Sequence, residues 1–323
     1  MSYPAENPTN SPATDQVAPG SKLGGEPILE FQPQAGRPRR GPTQTAGASR
    51  ARLQAAASLI GDESKEVRQA LLQEFRRVGK LGTPHLQRAA RSSDALVRSH
   101  GRAILDTFDR EQVLRRLTRF ASRERVDLEA ALCVMSGLDR ADLNMKPYRK
   151  ALDAMAEEVT KRTCHLRDDL QKAQVLVHYM GTELGYRGEV QDYSHPDKIY
   201  LHRAIELKRG LPLTLCSLYS FVARRAGIKT GIVPLPGHVM LRLYGRYQNL
   251  IVDPFHGGEA RTQEELGTYL REHGLRFNPV WMHDASDKML LARQLANLQN
   301  ALRAIGLPNR ASALDPLLMQ FRR

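Results

Sequence analysis

Three residues of the chain have the types and the order of a thiol-hydrolase triad. Cys216 lies in RGLPLTLCSLY (209–219), His238 follows in LPGHVML, and Asp253 stands near the end of LIVDPF. In enzymes of this kind the histidine takes the proton of the cysteine thiol, and the carboxylate orients the histidine. One hypothesis is therefore an active cysteine hydrolase or transferase that uses these three residues.

The elements that must position these residues are a buried helix and a small sheet. Pro212 suits the first turn of a helix, where a missing N–H costs nothing. The residues from Leu213 to Ala226 are apolar nearly all round, which is typical of a helix buried on most sides. Short runs rich in Val, Ile and Leu then predict antiparallel strands at 231–235, 238–244 and 249–255.

Most of the remaining chain is predicted to be helical. Apolar residues recur at helical spacing from Ala51 to Leu184, and again on one face from Leu291 to Ile305. A short helix after Pro308 completes a C-terminal helical hairpin. Helices followed by an antiparallel sheet predict the α+β fold class.

Residues 51–125 show a weak internal repeat and a basic excess. The pair Val67-Arg68 recurs 30 residues later as Val97-Arg98, and helices with such a period resemble short HEAT-type repeats. A plain helix bundle is the alternative. The same segment holds 16 Lys and Arg against 9 Asp and Glu, so nucleic-acid binding is a further alternative. No interleaving of aromatic and basic residues supports base stacking.

Composition indicates a cytoplasmic protein with a polar tail. Residues 1–48 are rich in Pro, Gly, Ser and Thr, which predicts disorder. No apolar run approaches the roughly 20 residues of a membrane span, and no secretory signal pattern is present. The three cysteines are far apart and form no CxxC pair, which favours reduced thiols: Cys133, Cys164 and Cys216.

Several stretches, taken in order, resemble the transglutaminase-like superfamily, a branch of the papain-like cysteine hydrolases. More narrowly, residues 127–285 resemble its SirB-type branch. The matching stretches are YRGEVQDY (186–193), YLHRAIELKRGLPLTL (200–215), VARRAGI (222–228), LPGHVMLR (235–242) and VDPFHGG (252–258). This resemblance implies a papain-like fold. It does not cover the polar tail or the repeat-like region that precedes the domain.

The resemblance also implies where a nucleophile would stand. Active members carry their cysteine at the N-terminus of the buried helix, where amides and the helix dipole stabilise a thiolate. The matching position here is Pro212, whereas His238 and Asp253 match the other two positions. Cys216 lies four residues later, one helical turn or about 6 Å deeper. We expect it to be a buried structural thiol.

The side chains expected to line the cleft are those of Pro212, Thr214 and His256. Thr214 is a hydroxyl near the helix start, and His256 follows Asp253 closely enough to line the same cleft as Pro212. The set of His238, Asp253 and His256 has ligand types of a metal site, but its spacing is loose. We therefore predict neither metal nor cofactor.

The function predicted from these features is that of a pseudoenzyme, a protein-interaction or regulatory module without catalysis. Its partner is expected to be a protein rather than a membrane, and the sequence does not indicate an oligomeric state. The predicted domains are a disordered tail (1–48), a HEAT-like region (49–122), a transglutaminase-like domain (123–285) and a helical hairpin (286–323).

Overall fold

A computed structural model describes residues 51–321 except Asp192 and Ser194. The tail predicted to be disordered lies outside the described residues. The chain forms two compact units, one ending at Leu105 and the other beginning at Asp106. The domain boundaries given above at 122 and 285 remain predictions. None of the described helices is long and apolar enough to cross a membrane.

The first unit consists of helices around a small apolar core. Residues 51–58 are helical (α1) and precede α2 (Lys65–Val78), α3 (Thr83–Ala89) and the start of α4 (Ala95–Ala121). The core is formed by side chains that the helical spacing predicted and by a few others: Leu53, Ile60, Leu71, Phe75, Leu86 and Ile104.

The recurring Val-Arg pair has a local physical origin. The Ser64 hydroxyl accepts a hydrogen bond from the Val67 N–H, and the Asp94 carboxylate accepts one from the Val97 N–H at 3.1 Å. A capping residue three positions before each valine therefore starts a helix at both sites. The relation to HEAT repeats stays a prediction, because two helix starts do not establish a repeat architecture.

The second unit contains the helices from α5 onward. Several of them begin at a residue whose side-chain oxygen caps the helix: Asp127, Asp168 and Ser286. The helices from α5 to α13 are Leu128–Met135, Lys146–Thr163, Asp169–His178, Leu201–Leu207, Pro212–Arg225, Gln263–Glu272, Asp287–Ala304, Pro308–Ser312 and Asp315–Gln320.

The described strands form one antiparallel sheet in the order β1-β2-β3-β4. Strands β1 to β3 were predicted. Strand β4 was missed, because it has only three residues and so shows no recognisable alternation of polar and apolar side chains. The predicted start of β2 at His238 was wrong by two residues: Pro236 and Gly237 form a turn, closed by the His238 N–H on the Leu235 carbonyl at 3.2 Å. The strands β1 to β4 are Thr230–Val233, Met240–Tyr244, Asn249–Asp253 and Glu259–Arg261.

Helix α9 is the centre of the second core, as its apolar sequence predicted. Its residues from Pro212 to Tyr219 are all buried, and α6, α7, α8, α11 and the sheet pack around it. Burying one Leu- or Phe-sized side chain contributes about 1.5–3 kcal/mol, so this helix stabilises the unit more than any surface contact does.

An ion-pair cluster ties the C-terminal end of α9 to α5. The Glu129 carboxylate is buried and accepts hydrogen bonds from Arg224 and Arg225, both at 2.6 Å. Arg225 also pairs with Asp153 at 2.7 Å. The two arginines, in the last turn of α9, therefore bind a buried counter-charge in addition to complementing the helix dipole.

We predict that Glu129→Gln lowers the free energy of unfolding by about 2 kcal/mol, because it leaves the partly buried Arg225 without its counter-charge, while the exposed Arg224 stays solvated. The matched control is Glu157→Gln, which removes an exposed pair with Lys161 and should cost less than about 1 kcal/mol. Urea unfolding at neutral pH measures both. Equal effects of the two variants would contradict the structural role of Glu129.

Candidate functional site

The structure brings His238 and Asp253 together. The His238 Nε2 lies 3.0 Å from the Asp253 Oδ2, and both side chains are almost fully buried. A histidine N–H that donates to a carboxylate is held in one tautomer and one ring orientation. The two side chains are thus in direct contact, with the Nδ1 atom of His238 on the other side of the ring; a triad role for the pair stays a prediction.

Asp253 accepts several hydrogen bonds at once. Its Oδ2 also accepts one from His256 Nδ1 at 2.7 Å, and its Oδ1 accepts one from the Phe255 N–H at 3.0 Å. Burial alone would raise the pKa of this carboxyl, but the bonds from His238 and His256 hold the pKa well below its usual range. The carboxylate is therefore ionised at neutral pH.

His256 joins the pair from the solvent side. Its side chain keeps 44% of its surface exposed, and the bond to Asp253 raises the pKa of the ring above its ordinary value. Arg261 lies 3.9 Å from the same Asp253 oxygen, but it pairs more closely with Glu259 at 2.8 Å. The structure places His256 in contact with Asp253, while its predicted role in lining a cleft stays a prediction.

The local fold explains why these side chains meet. Asp253 ends β3 and caps the 3-10 turn Pro254–His256 through its own carboxylate. This turn reverses the chain, so that His256 points back to the residue that caps it. Gly257 and Gly258, both at positive φ, then let the chain enter β4.

His238 is held by residues that sequence reasoning missed. The Arg293 guanidinium, on α11, donates to the carbonyls of Leu235 and His238 at 3.1 and 3.2 Å. The Tyr269 ring lies 6.0 Å from the imidazole, centroid to centroid, and its hydroxyl donates to the Pro236 carbonyl. Sequence spacing does not indicate these contacts. Tyr269 follows His238 by 31 residues and Arg293 follows it by 55, and each lies on a different helix.

The start of α9 is closed by backbone and side-chain contacts. The helix begins at Pro212, as predicted, and the preceding Leu211 N–H donates to the Lys198 carbonyl at 2.8 Å. Thr214 is buried, and its hydroxyl accepts a hydrogen bond from Gln294 Nε2 at 2.8 Å. The threonine thus joins α9 to α11.

Cys216 is enclosed one turn further along α9. Its side chain has no exposed surface, and its thiol donates to the Val239 carbonyl at 3.4 Å. Burial raises the pKa of this thiol well above its ordinary value, and the nearby Asp253 charge raises it further. A thiol in this setting is protonated at neutral pH and is a poor nucleophile.

Comparison with known proteins identifies a superfamily for part of the chain. The sequence profile of the transglutaminase-like superfamily matches residues 146–296. A UPF0162 protein of Xylella fastidiosa is 36% identical over 102 residues, and one of Vibrio cholerae is 21% identical over 155 residues. The F-box only protein 21 of Mus musculus is 25% identical over 99 residues.

Each of these similarities covers only part of this chain and only part of the relative. The matches cover 32%, 47% and 28% of this chain, and 36%, 57% and 16% of the three relatives' own lengths. No solved structure matches the chain. Residues 146–296 therefore form a transglutaminase-like superfamily domain, and the chain has homologues among the UPF0162 proteins.

We predict that Gly258→Ala destabilises the protein more than Gly257→Ala. Both residues have positive φ, which costs a non-glycine residue roughly 1–2 kcal/mol. A Cβ at Gly257 meets no atom within 4 Å, whereas one at Gly258 would lie 2.2 Å from a methyl of Val177. Gly258→Ala should therefore cost about 1–3 kcal/mol more. Thermal unfolding of the two variants provides the comparison, and equal costs would show that the loop shifts freely.

Proposed function

We propose that the chain is a transglutaminase-like protein of the SirB-type branch that acts without covalent catalysis, as a protein-interaction or regulatory module. In this proposal the transglutaminase-like domain retains the frame of a thiol enzyme and lacks its nucleophile. The HEAT-like region and the cytoplasmic location belong to the same proposal.

The observation that carries the proposal is the burial of the Cys216 thiol, which lies near the His238–Asp253 pair. Cys216 has no exposed surface and donates to the Val239 carbonyl, and Pro212 stands at the position where the resemblance puts a nucleophile. Proline has no nucleophilic atom. The active-enzyme alternative needs a helix that starts later, with Cys216 in its first turn, whereas α9 begins at Pro212.

A surface that suits a protein partner lies beside the sheet. Phe277 and Val280 expose 49% and 65% of their surface. The adjacent Trp281 and Met282 pack partly against the core of Val233, Leu235, Met240 and Leu266. The segment is thus anchored from within while it presents apolar side chains to solvent, and such side chains favour contact with another protein.

The nucleic-acid alternative rests on the basic excess alone, and two of the arginines that contribute to it make contacts within the protein. Arg77 bonds Glu74 at 2.5 Å, and Arg98 donates to the carbonyls of Ser92 and Ser93. These guanidinium groups already have partners within the protein. Retention on DNA or RNA at low salt would revive this alternative.

We predict that native protein treated with iodoacetamide takes up one label, at Cys164. This residue is exposed, whereas Cys133 and Cys216 are buried and have raised thiol pKa values. Intact-mass spectrometry should find no label on native Cys164→Ser and two labels after that variant is denatured.

Rapid labelling of native Cys216 would contradict the proposal if the His238→Gln variant slowed it. Such a result would show a thiolate activated by the histidine. The Cys216→Ser variant identifies the site of that label, since it removes this label and leaves that on Cys164.

We predict that a partner captured from the protein's own cells is recovered in a stable complex and with unchanged mass. Cys216→Ser and His238→Gln should retain the partner, while the double variant Phe277→Asp, Val280→Asp should lose it. Tyr247→Asp, a change at an 87% exposed side chain, is the matched control and should retain it. Cleavage, deamidation or cross-linking of the partner that depends on Cys216 would overturn the proposal.

A further inference from the structure

We propose that His238, Asp253 and His256 form a binding site for one divalent transition-metal ion of the zinc class. One ligand atom from each residue, a ring nitrogen or a carboxylate oxygen, lies within 4.8 Å of the other two. This inference does not depend on the proposed lack of catalysis. It replaces the expectation of no metal that the loose sequence spacing suggested.

The donor set suits the chemistry of such an ion. Two imidazole nitrogens and one carboxylate oxygen are ligands that zinc and its neighbours in the first row accept. Sequence spacing is a poor guide here, because His238 comes from the turn before β2, Asp253 from the end of β3 and His256 from the turn that follows. Because the two strands pair antiparallel, with Leu241 opposite Val252, the start of β2 and the end of β3 lie side by side at the same end of the sheet.

The distances are already near those of a metal site. Ligands at about 2.0–2.1 Å from a tetrahedral zinc stand roughly 3.4 Å apart. The nitrogens of His238 and His256 lie 3.0 and 2.7 Å from the same oxygen of Asp253. An ionised carboxylate only accepts hydrogen bonds, so both rings direct an N–H at one point. A cation that replaces those two protons requires the three ligand atoms to move apart by only about half an ångström.

The surroundings hold the ligands in position. The Phe255 N–H binds the other oxygen of Asp253 at 3.0 Å, which leaves Oδ2 for the ion. Arg293 fixes the backbone of His238 through its carbonyl. Contacts of this kind orient the ligands of metal sites.

The charges and the access also fit. Apart from the two histidines, Arg261 is the basic side chain nearest to Asp253 Oδ2 among the ion pairs of the described residues, at 3.9 Å, and Glu259 offsets its charge. The exposed face of His256 leaves one side of the site open to solvent. Three protein ligands with an open side permit a bound water or a ligand group from a partner. The buried Cys216 is not one of the ligands.

The test uses the full chain, stripped with a chelator, and Zn²⁺ or Co²⁺ alone as the probe. Isothermal titration should give one Zn²⁺ per chain. Co²⁺ should give visible absorption of a four- or five-coordinate site without a thiolate charge-transfer band. His256→Gln should weaken Zn²⁺ binding at least about 30-fold, because the loss of a partner outside the first coordination shell already costs about 10–100-fold. His283→Gln, at an exposed histidine of the same unit, should bind as the wild type does.

Two outcomes would overturn the proposal. One is the absence of stoichiometric binding in the folded wild-type chain, and the other is binding that His256→Gln leaves unchanged. Because His256 is half exposed, its replacement should not unfold the chain, and circular dichroism checks this. Metal binding with no labelling of Cys216 leaves the proposed lack of thiol catalysis intact, so the two proposals fail separately.

Discussion

The burial of α9 on nearly all sides is the constraint on which the second unit depends. Its apolar surface has to be covered, so α6, α7, α11 and the sheet all take their positions from one helix. The same coverage decides the state of Cys216, because a side chain one turn inside a covered helix has no route to solvent. Glu129 and Gln294 supply the polar ties at the two ends of the helix, to α5 and α11.

The His238–Asp253 pair shows how a buried charge is kept in such a core. An ionised carboxylate in the interior is costly unless its lone pairs are satisfied. The oxygens of Asp253 accept from two imidazoles and one backbone N–H. The cluster is therefore a stable polar feature whether or not a nucleophile accompanies it, and its presence alone does not indicate catalysis.

Much of the fold was predictable, and the failures have physical causes. Helical spacing located α2, α6, α9 and α11, because each presents an apolar face over at least three turns. The missed strand β4 and the late start of β2 depend on turns and pairing, which local patterns describe poorly. Of the site, His238, Asp253 and His256 were found from their order and type. Arg293, Tyr269 and Gln294 were not, since their contacts arise only when distant helices pack.

The sequence by itself determined the helix around Cys216, its start at Pro212 and the order of the histidine and the carboxylate. These follow from local rules: the lack of an N–H in proline, apolar periodicity and chain order. Only the tertiary structure decided that the Cys216 thiol bonds the Val239 carbonyl, and that three side chains meet at Asp253 Oδ2. Such facts depend on packing between elements far apart in the chain, and residue spacing carries no direct measure of that packing.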